Sequence, residues 1–293
     1  MTLPVLGRVG VWGHLDTLPI AEARAYARRV DELGYGSLWV PETVGREPFT
    51  FLGLLAGETR RLVLGTSIVS IWGHDAQATR MAAETLAEAT AGRFVLGLGV
   101  SHPHLAAKLR GHDFDRPLSR MREYLAAYRA AIYRGPQADA GSPPVLVAAL
   151  REQMTGLAAI DADGAFPYLV TAERVAWMRE RLDAAAPGRR QLLAVTLPVV
   201  LGDDTDAARA YLKPYLRTPT YHASWEVQGF EAADWEPPGS DRLLHAMVAI
   251  GPASVARERI EALHAAGADH VAVIPIAPDG STEHLPTLEE LAE

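Results

Sequence analysis

Short, nearly unbroken apolar runs alternate along the chain with stretches whose apolar residues recur every three or four positions, and this alternation predicts parallel βαβ units. Eight runs read as strands: residues 8–13 (RVGVWG), 37–41 (SLWVP), 62–69 (LVLGTSIV), 93–99 (RFVLGLG), 144–149 (PVLVAA), 164–170 (GAFPYLV), 192–201 (LLAVTLPVVL) and 270–276 (HVAVIPI). A strand covered on both faces needs no polar alternation, so continuous runs suit a parallel sheet. Between them, Leu118, Met121, Leu125, Tyr128 and Ile132 form one helical stripe, and Ala256, Ile260, Leu263 and Gly267 form another. Each stripe is expected to face the sheet.

A recurrent punctuation supports the same layout. A helix, a small residue, a glycine and then a strand follow one another at Gly34, Gly92, Gly164 and Gly267, where glycine is expected to supply a left-handed helix cap. Eight such units close most simply into an α/β (β/α)8 TIM barrel, one domain over residues 1–293, with a doubly wound open sheet as the alternative. Residues 214–240 break the rhythm with Tyr215, Tyr221, Trp225, Phe230 and Trp235 among several Pro and Gly. This insertion reads either as a packed surface segment or as a lid whose rings cover a ligand at the barrel mouth.

Composition narrows the function classes. The 293 residues are 48% hydrophobic, enough for a sizeable core, and the absence of Cys removes disulfides and thiolate metal sites. The net charge is −8 and the Lys and Arg residues are scattered, which speaks against a nucleic-acid footprint. No apolar run approaches the roughly 20 residues of a membrane span, and the start of the chain has no signal-peptide pattern. A soluble cytoplasmic protein acting on a small molecule is therefore expected, with neither nucleic acid nor membrane as partner.

Active sites of such barrels lie at the C-terminal strand ends. Polar residues collect there: His14 and Asp16, Glu42 and Arg46, Trp72, His74 and Asp75, Ser101, His102 and His104, Arg151 and Glu152, and Tyr168 and Thr171. Taken singly, His14 or His74 reads more readily as a loop or capping residue than as a catalyst, and Asp75 as the cap of the next helix. His102 and His104 flank Pro103 without a carboxylate that completes a ligand pattern, so no metal site is expected. GLGVS (97–101) is not a dinucleotide fingerprint, because Pro103 occupies the third glycine position, and neither a G-x-S-x-G elbow nor a P-loop occurs.

The segments LGYGSLWVPE (33–42), RLVLGTSIVSIW (61–72), GRFVLGLGVSH (92–102), PLSRMREYL (117–125), ADGAFPYLVT (162–171) and AGADHVAV (266–273) together resemble the luciferase-like oxidoreductases, in particular an actinobacterial coenzyme F420-dependent branch. The resemblance runs nearly end to end. It implies a cofactor ring across the barrel mouth, supported by a third-strand bulge with a non-prolyl cis peptide, here Ser67–Ile68, and by Ser101 after the fourth strand. It also implies a phosphate held by backbone amides at Ala149, Leu150, Arg151 and Glu152 and at Tyr168 to Thr171. Two departures accompany it. Arg151–Glu152 stands where the branch has Gly-Pro, and Thr43 and Ser101 stand where alcohol-oxidising relatives carry His and Glu.

The resemblance implies hydride transfer between a deazaflavin, F420, and a small molecule, with reduction of an activated C=C or C=N bond as the leading reaction and His102, His74, His14 or Glu42 as proton donor. FMN-dependent monooxygenation is the first alternative. The second is a barrel that has lost its cofactor and acts as a redox-neutral lyase or cyclase, or as a ligand-binding protein. A homodimer is implied by the same resemblance.

Overall fold

The apolar runs are strands of one barrel. The structure, a computed structural model, describes residues 6–292. Ten strands lie among the described residues: β1 (Val9–Trp12), β2 (Ser37–Val40), β3 (Val63–Thr66), β4 (Val69–Ser70), β5 (Phe94–Gly99), β6 (Val145–Val147), β7 (Gly164–Ala165), β8 (Leu192–Leu201), β9 (Ala249–Gly251) and β10 (His270–Pro275). The parallel ladder runs β1-β2-β3-β5-β6-β7-β8-β10, and β10 pairs back onto β1 with Val271 opposite Val9. Eight strands thus close a (β/α)8 barrel, and the open-sheet alternative is excluded.

Two layers of apolar side chains follow from the period of two along each strand. Leu38, Leu64, Leu96, Val147 and Val271 pack outward against the helices. Trp39, Val63, Val95, Leu146, Phe166 and Ala272 fill the barrel. Trp39 meets Phe166 edge to face at 4.7 Å, and a Cβ on Gly65 would lie 2.2 Å from the Trp39 ring, so that glycine makes room for the indole. Lower in the barrel, His270 accepts from Ser37 Oγ and Trp39 Nε1 at Nε2 (2.8 and 3.2 Å) and reaches the Gly7 carbonyl through Nδ1. That pattern requires the neutral Nδ1–H tautomer, and burial lowers the pKa of His270 to about 4.

Several boundaries differ from the sequence expectations, each for a local reason. The third run is split, because the cis Ser67–Ile68 bond turns the chain between β3 and β4, and β4 pairs with β5 instead of β2. The sixth run forms only two strand residues, after which Phe166–Val170 becomes a mouth loop with Leu169 at φ +55°. Gly34, Gly92 and Gly267 hold the expected positive φ, but Gly164 does not. It is strand, and a Cβ there would meet the Leu192 carbonyl at 2.0 Å. Ile132 lies beyond the helix Pro117–Ala130 and is 65% exposed, whereas Met121, Leu125 and Tyr128 are buried as expected.

The 214–240 insertion is mostly helical, with helices Pro219–Glu226 and Ala232–Trp235. Trp225 is fully buried, and Tyr221 and Phe230 nearly so. The segment is therefore packed, and its Tyr215 and Tyr221 also lean on Tyr168 of the mouth loop. Among the described residues no helix is long and apolar enough to cross a membrane.

Candidate active site

Because all barrel strands are parallel, their C-terminal ends share one face, and the loops there bring four groups of side chains together. The first follows β1 and β2. His14 Nε2 lies 3.1 Å from Thr43 Oγ1 and 3.2 Å from Asp16 Oδ2, and Thr43 Oγ1 donates to the same carboxylate at 2.5 Å. The His14 amide is held by Thr282 Oγ1 at 2.9 Å.

The second group follows β2, β4 and β5. Glu42 accepts from the Ser70 amide at 2.7 Å, pairs with Arg110, and has His74 Nε2 at 3.4 Å. Gly73 permits this convergence, since a Cβ there would come within 2.7 Å of both Arg110 and Glu42. The hydrogen bond to Glu42 raises the His74 pKa, against the opposing effect of burial. Sequence reading identified Glu42 and His74 separately; Arg110 was missed, because it enters from the π-helical turn His104–Leu109, far along the chain.

His102 belongs to a third group. Its ring stacks on His104 at 5.9 Å and meets Tyr221 at 5.4 Å, and its Nδ1 is buried without a hydrogen-bond partner. Burial first, and the neighbouring His104 second, lower its pKa to about 4. His102 is thus neutral near pH 7 and holds no imidazolium proton to give. Asp75 caps the helix Ala76–Ala89 through the Ala78 amide, as its plainer reading expected.

The fourth group consists of tyrosines. Tyr168 Oη lies within hydrogen-bond distance of Tyr211 Oη and of Tyr215 Oη, the latter at 2.9 Å. Trp12 packs on Tyr168 at 5.7 Å and donates its Nε1 hydrogen to the Ser67 carbonyl at the bulge. Burial raises the pKa of Tyr168, Tyr211, Tyr215 and Tyr221. Tyr215 was named as one of the insertion's rings, but Tyr211 escaped the sequence reading, because the helix that carries it, Thr205–Leu212, gives no sign that one edge reaches the mouth.

Between these groups lies an accessible apolar floor. Ser67, Ile68, Val100, Ser101, Ala148, Leu150 and Tyr168 are all half-buried at strand ends where the barrel core is otherwise closed. A Cβ on Gly99 would stand 2.7 Å from Ile68 Cδ1 and 3.3 Å from Ala148 Cβ, so the flatness of this floor depends on a missing side chain. Ser101 turns the chain there at φ +54°. Beside the floor begins the helix Glu152–Asp161, whose N-cap, Arg151, forms no side-chain cap bond. Among the described residues the first-turn amides of Gln153 and Met154 have no protein acceptor, nor does the exposed Arg151 guanidinium.

The Glu152 carboxylate is 3.5 Å from Arg181, which offsets its charge at that helix start. Arg174 lies over the Trp177 ring at 3.7 Å and donates to the Leu150 carbonyl at 2.7 Å, fixing the loop before Arg151. The second expected anion position differs. The Thr171 amide already donates to Gln228 Oε1 at 2.8 Å, and Thr171 Oγ1 caps its own helix. A planar ring on the floor with an anionic tail toward Arg151 fits the residues present, and Thr171 is left with a structural role.

The profile of the luciferase-like monooxygenase family matches residues 2–270. A Mycobacterium tuberculosis protein provisionally named a coenzyme F420-dependent oxidoreductase is 29% identical over 245 residues, covering 71% of this chain and 70% of that protein. Among solved structures, an F420-dependent secondary alcohol dehydrogenase in complex with an F420–acetone adduct is similar with a TM-score of 0.77 at 12% identity, over 97% of each chain. The oxygenating constituent of 3,6-diketocamphane monooxygenase from Pseudomonas putida, in complex with FMN, is similar with a TM-score of 0.71 at 15% identity, over 97% of this chain and 95% of that one. At such identities the structural likeness concerns the fold.

Proposed function

The chain belongs to the luciferase-like monooxygenase family, and on that premise we propose that it is a deazaflavin-dependent oxidoreductase that reduces an activated double bond of a small molecule. The observation that carries this reading is the accessible apolar floor of Ile68, Ala148 and Leu150 beside the uncapped helix start at Arg151. Together they match a flat ring with an anionic tail. The deazaflavin is preferred to FMN because the relative at 29% identity carries the F420 name.

When bound, such a group supplies a hydride to a substrate carbon. The residues of this chain do the rest. Ile68 and Ala148 would support the ring face, while Arg151 and the amides of Gln153 and Met154 would hold the anionic tail. Trp12 and Tyr168 wall the mouth, restricting water and the orientations open to a substrate. His74, whose pKa the hydrogen bond to Glu42 raises, is the better proton source, because burial holds His102 neutral near pH 7.

Titration of the purified protein with coenzyme F420 and separately with FMN, followed by fluorescence quenching and calorimetry, tests the proposal. Binding of the deazaflavin in preference to FMN is expected. Binding of FMN alone would replace the proposal with a monooxygenase, and binding of neither would turn it toward redox-neutral chemistry at the same mouth.

A further inference from the structure

The three linked tyrosine hydroxyls contain one hydrogen-bond donor more than they use. Tyr168 Oη is bonded to Tyr211 Oη on one side and Tyr215 Oη on the other, so two bonds consume two of the three O–H hydrogens. Outside this cluster no protein partner meets these oxygens among the described residues. The third hydrogen falls on one of the three. A free donor on Tyr211, which is 5% exposed, would be buried unpaired, the costly arrangement. Tyr168 already has two neighbours on its oxygen. Tyr215 is terminal, half-buried, and carried by the insertion over the mouth.

We propose that the relay runs Tyr211 to Tyr168 to Tyr215 and presents the Tyr215 O–H as the donor to a carbonyl oxygen of the substrate. Each bond in such a chain polarises the next, so the last hydrogen is the strongest donor. The surroundings define the rest of the ligand. Tyr215 packs against Tyr221 at 5.1 Å and Tyr168 at 5.5 Å, Tyr168 against Trp12, and Tyr221 against His102, which is neutral. A wall of rings with a single neutral donor suits an uncharged, planar, conjugated carbonyl compound, an enone, more than an anion or an imine salt.

This inference deepens the hydride-transfer reading and rests on it for the reaction. The enone accepts hydride from a reduced deazaflavin at its β carbon, the C=C pair becomes a double bond between the α and carbonyl carbons, and the carbonyl π pair moves onto the oxygen. That oxygen, now an enolate oxygen, is stabilised by the Tyr215 hydrogen bond until a proton, supplied by His74 or by water, adds at the α carbon and gives the saturated ketone. The C=O bond, single in the enolate, is restored on protonation, so the net change is one C–H bond at each of the α and β carbons in place of the C=C π bond; the deazaflavin is oxidised by two electrons and the enone reduced by two.

The test uses cyclohex-2-enone enriched with carbon-13 at the carbonyl, bound to the full chain with and without added F420 and read by its NMR shift. A downfield shift is expected on the wild-type protein. Tyr215→Phe is expected to abolish that shift and weaken binding about tenfold, while Tyr211→Phe, which removes the first hydroxyl of the chain but leaves the Tyr215 O–H, keeps binding and a reduced shift. A shift that survives in Tyr215→Phe, equal losses in the two variants, or no binding to the wild-type protein would each overturn the inference. If the shift behaves as expected but F420 does not bind, the carbonyl site stands and the redox reading falls.

Discussion

Gly99 faces Ile68 so closely that a Cβ on the glycine would come within 2.7 Å of Ile68 Cδ1. The pair joins β5 to the bulge after β3, and it keeps the floor of the mouth flat. Replacing Gly99 by Ala is expected to push Ile68 upward into the space assigned to the cofactor ring. Overpacking of this kind costs about 1–3 kcal/mol where the neighbour is a flexible side-chain end. Thermal unfolding should record a modest drop in Tm, whereas F420 titration should record a loss of affinity of about tenfold or more. Unchanged affinity would remove Ile68 from the cofactor floor.

The Glu42–His74 contact sets a pH dependence of known sign. Because the hydrogen bond to Glu42 raises the folded-state pKa of His74 above its ordinary value of 6.5, the charged pair stabilises the fold fully below that value. The contribution fades as pH rises through the raised pKa. Urea unfolding of the wild type and of His74→Gln, compared between about pH 5.5 and 8.5, should show a stability difference that shrinks toward the alkaline end. In Glu42→Gln, the His74 ring-proton titration followed by NMR is expected to move to lower pH.

His102 works in the opposite direction. Its folded-state pKa is lowered from 6.5 to about 4 by burial and by His104, so the unfolded chain binds a proton that the native state refuses. Stability is complete above pH 6.5 and declines as the solution is acidified toward pH 4, by at most about 1.4 kcal/mol per pH unit for one group. His270, also lowered to about 4, adds a second such slope. The His102→Gln protein is therefore expected to lose stability less steeply than the wild type over this interval. Parallel curves for the two would contradict the burial argument.

Arg174 acts at a distance from the mouth. It holds the Leu150 carbonyl and lies over Trp177, and so fixes the approach to Arg151. Truncation to Ala removes a charge-assisted hydrogen bond and a cation–π contact, together about 2–4 kcal/mol. Calorimetry should find F420 bound at least tenfold more weakly, with the loss concentrated in dissociation of the anionic tail. Riboflavin, which lacks the phosphate, serves as the control and should respond little to the change.

Much of the architecture was legible because it depends on local period. Buried parallel strands leave continuous apolar runs, and the runs at 37–41, 93–99, 192–201 and 270–276 lie where β2, β5, β8 and β10 do. Gly164 was misread since a left-handed cap and a close strand crossing both demand glycine, and only the Leu192 carbonyl at 2.0 Å from the would-be Cβ distinguishes them. Ile132 fitted the helical stripe, but the helix ends at Ala130, where the chain turns to meet Gln77. The short β9 left no run long enough to notice.

At the mouth, sequence position alone could name the residues that end strands, His14, Glu42, His74, His102, Arg151 and Tyr168, because strand ends in a parallel barrel must share a face. It could not say which of them would meet. Arg110 reaches Glu42 across 68 residues, Tyr211 and Tyr215 reach Tyr168 across 43 and 47, and Gln228 closes the Thr171 amide across 57. Those pairings are fixed by barrel closure and by the packing of the insertion, both long-range consequences of burying apolar surface. The chemistry of His102 and His74 follows from the same cause, since burial lowers the pKa of one and a neighbouring carboxylate raises that of the other.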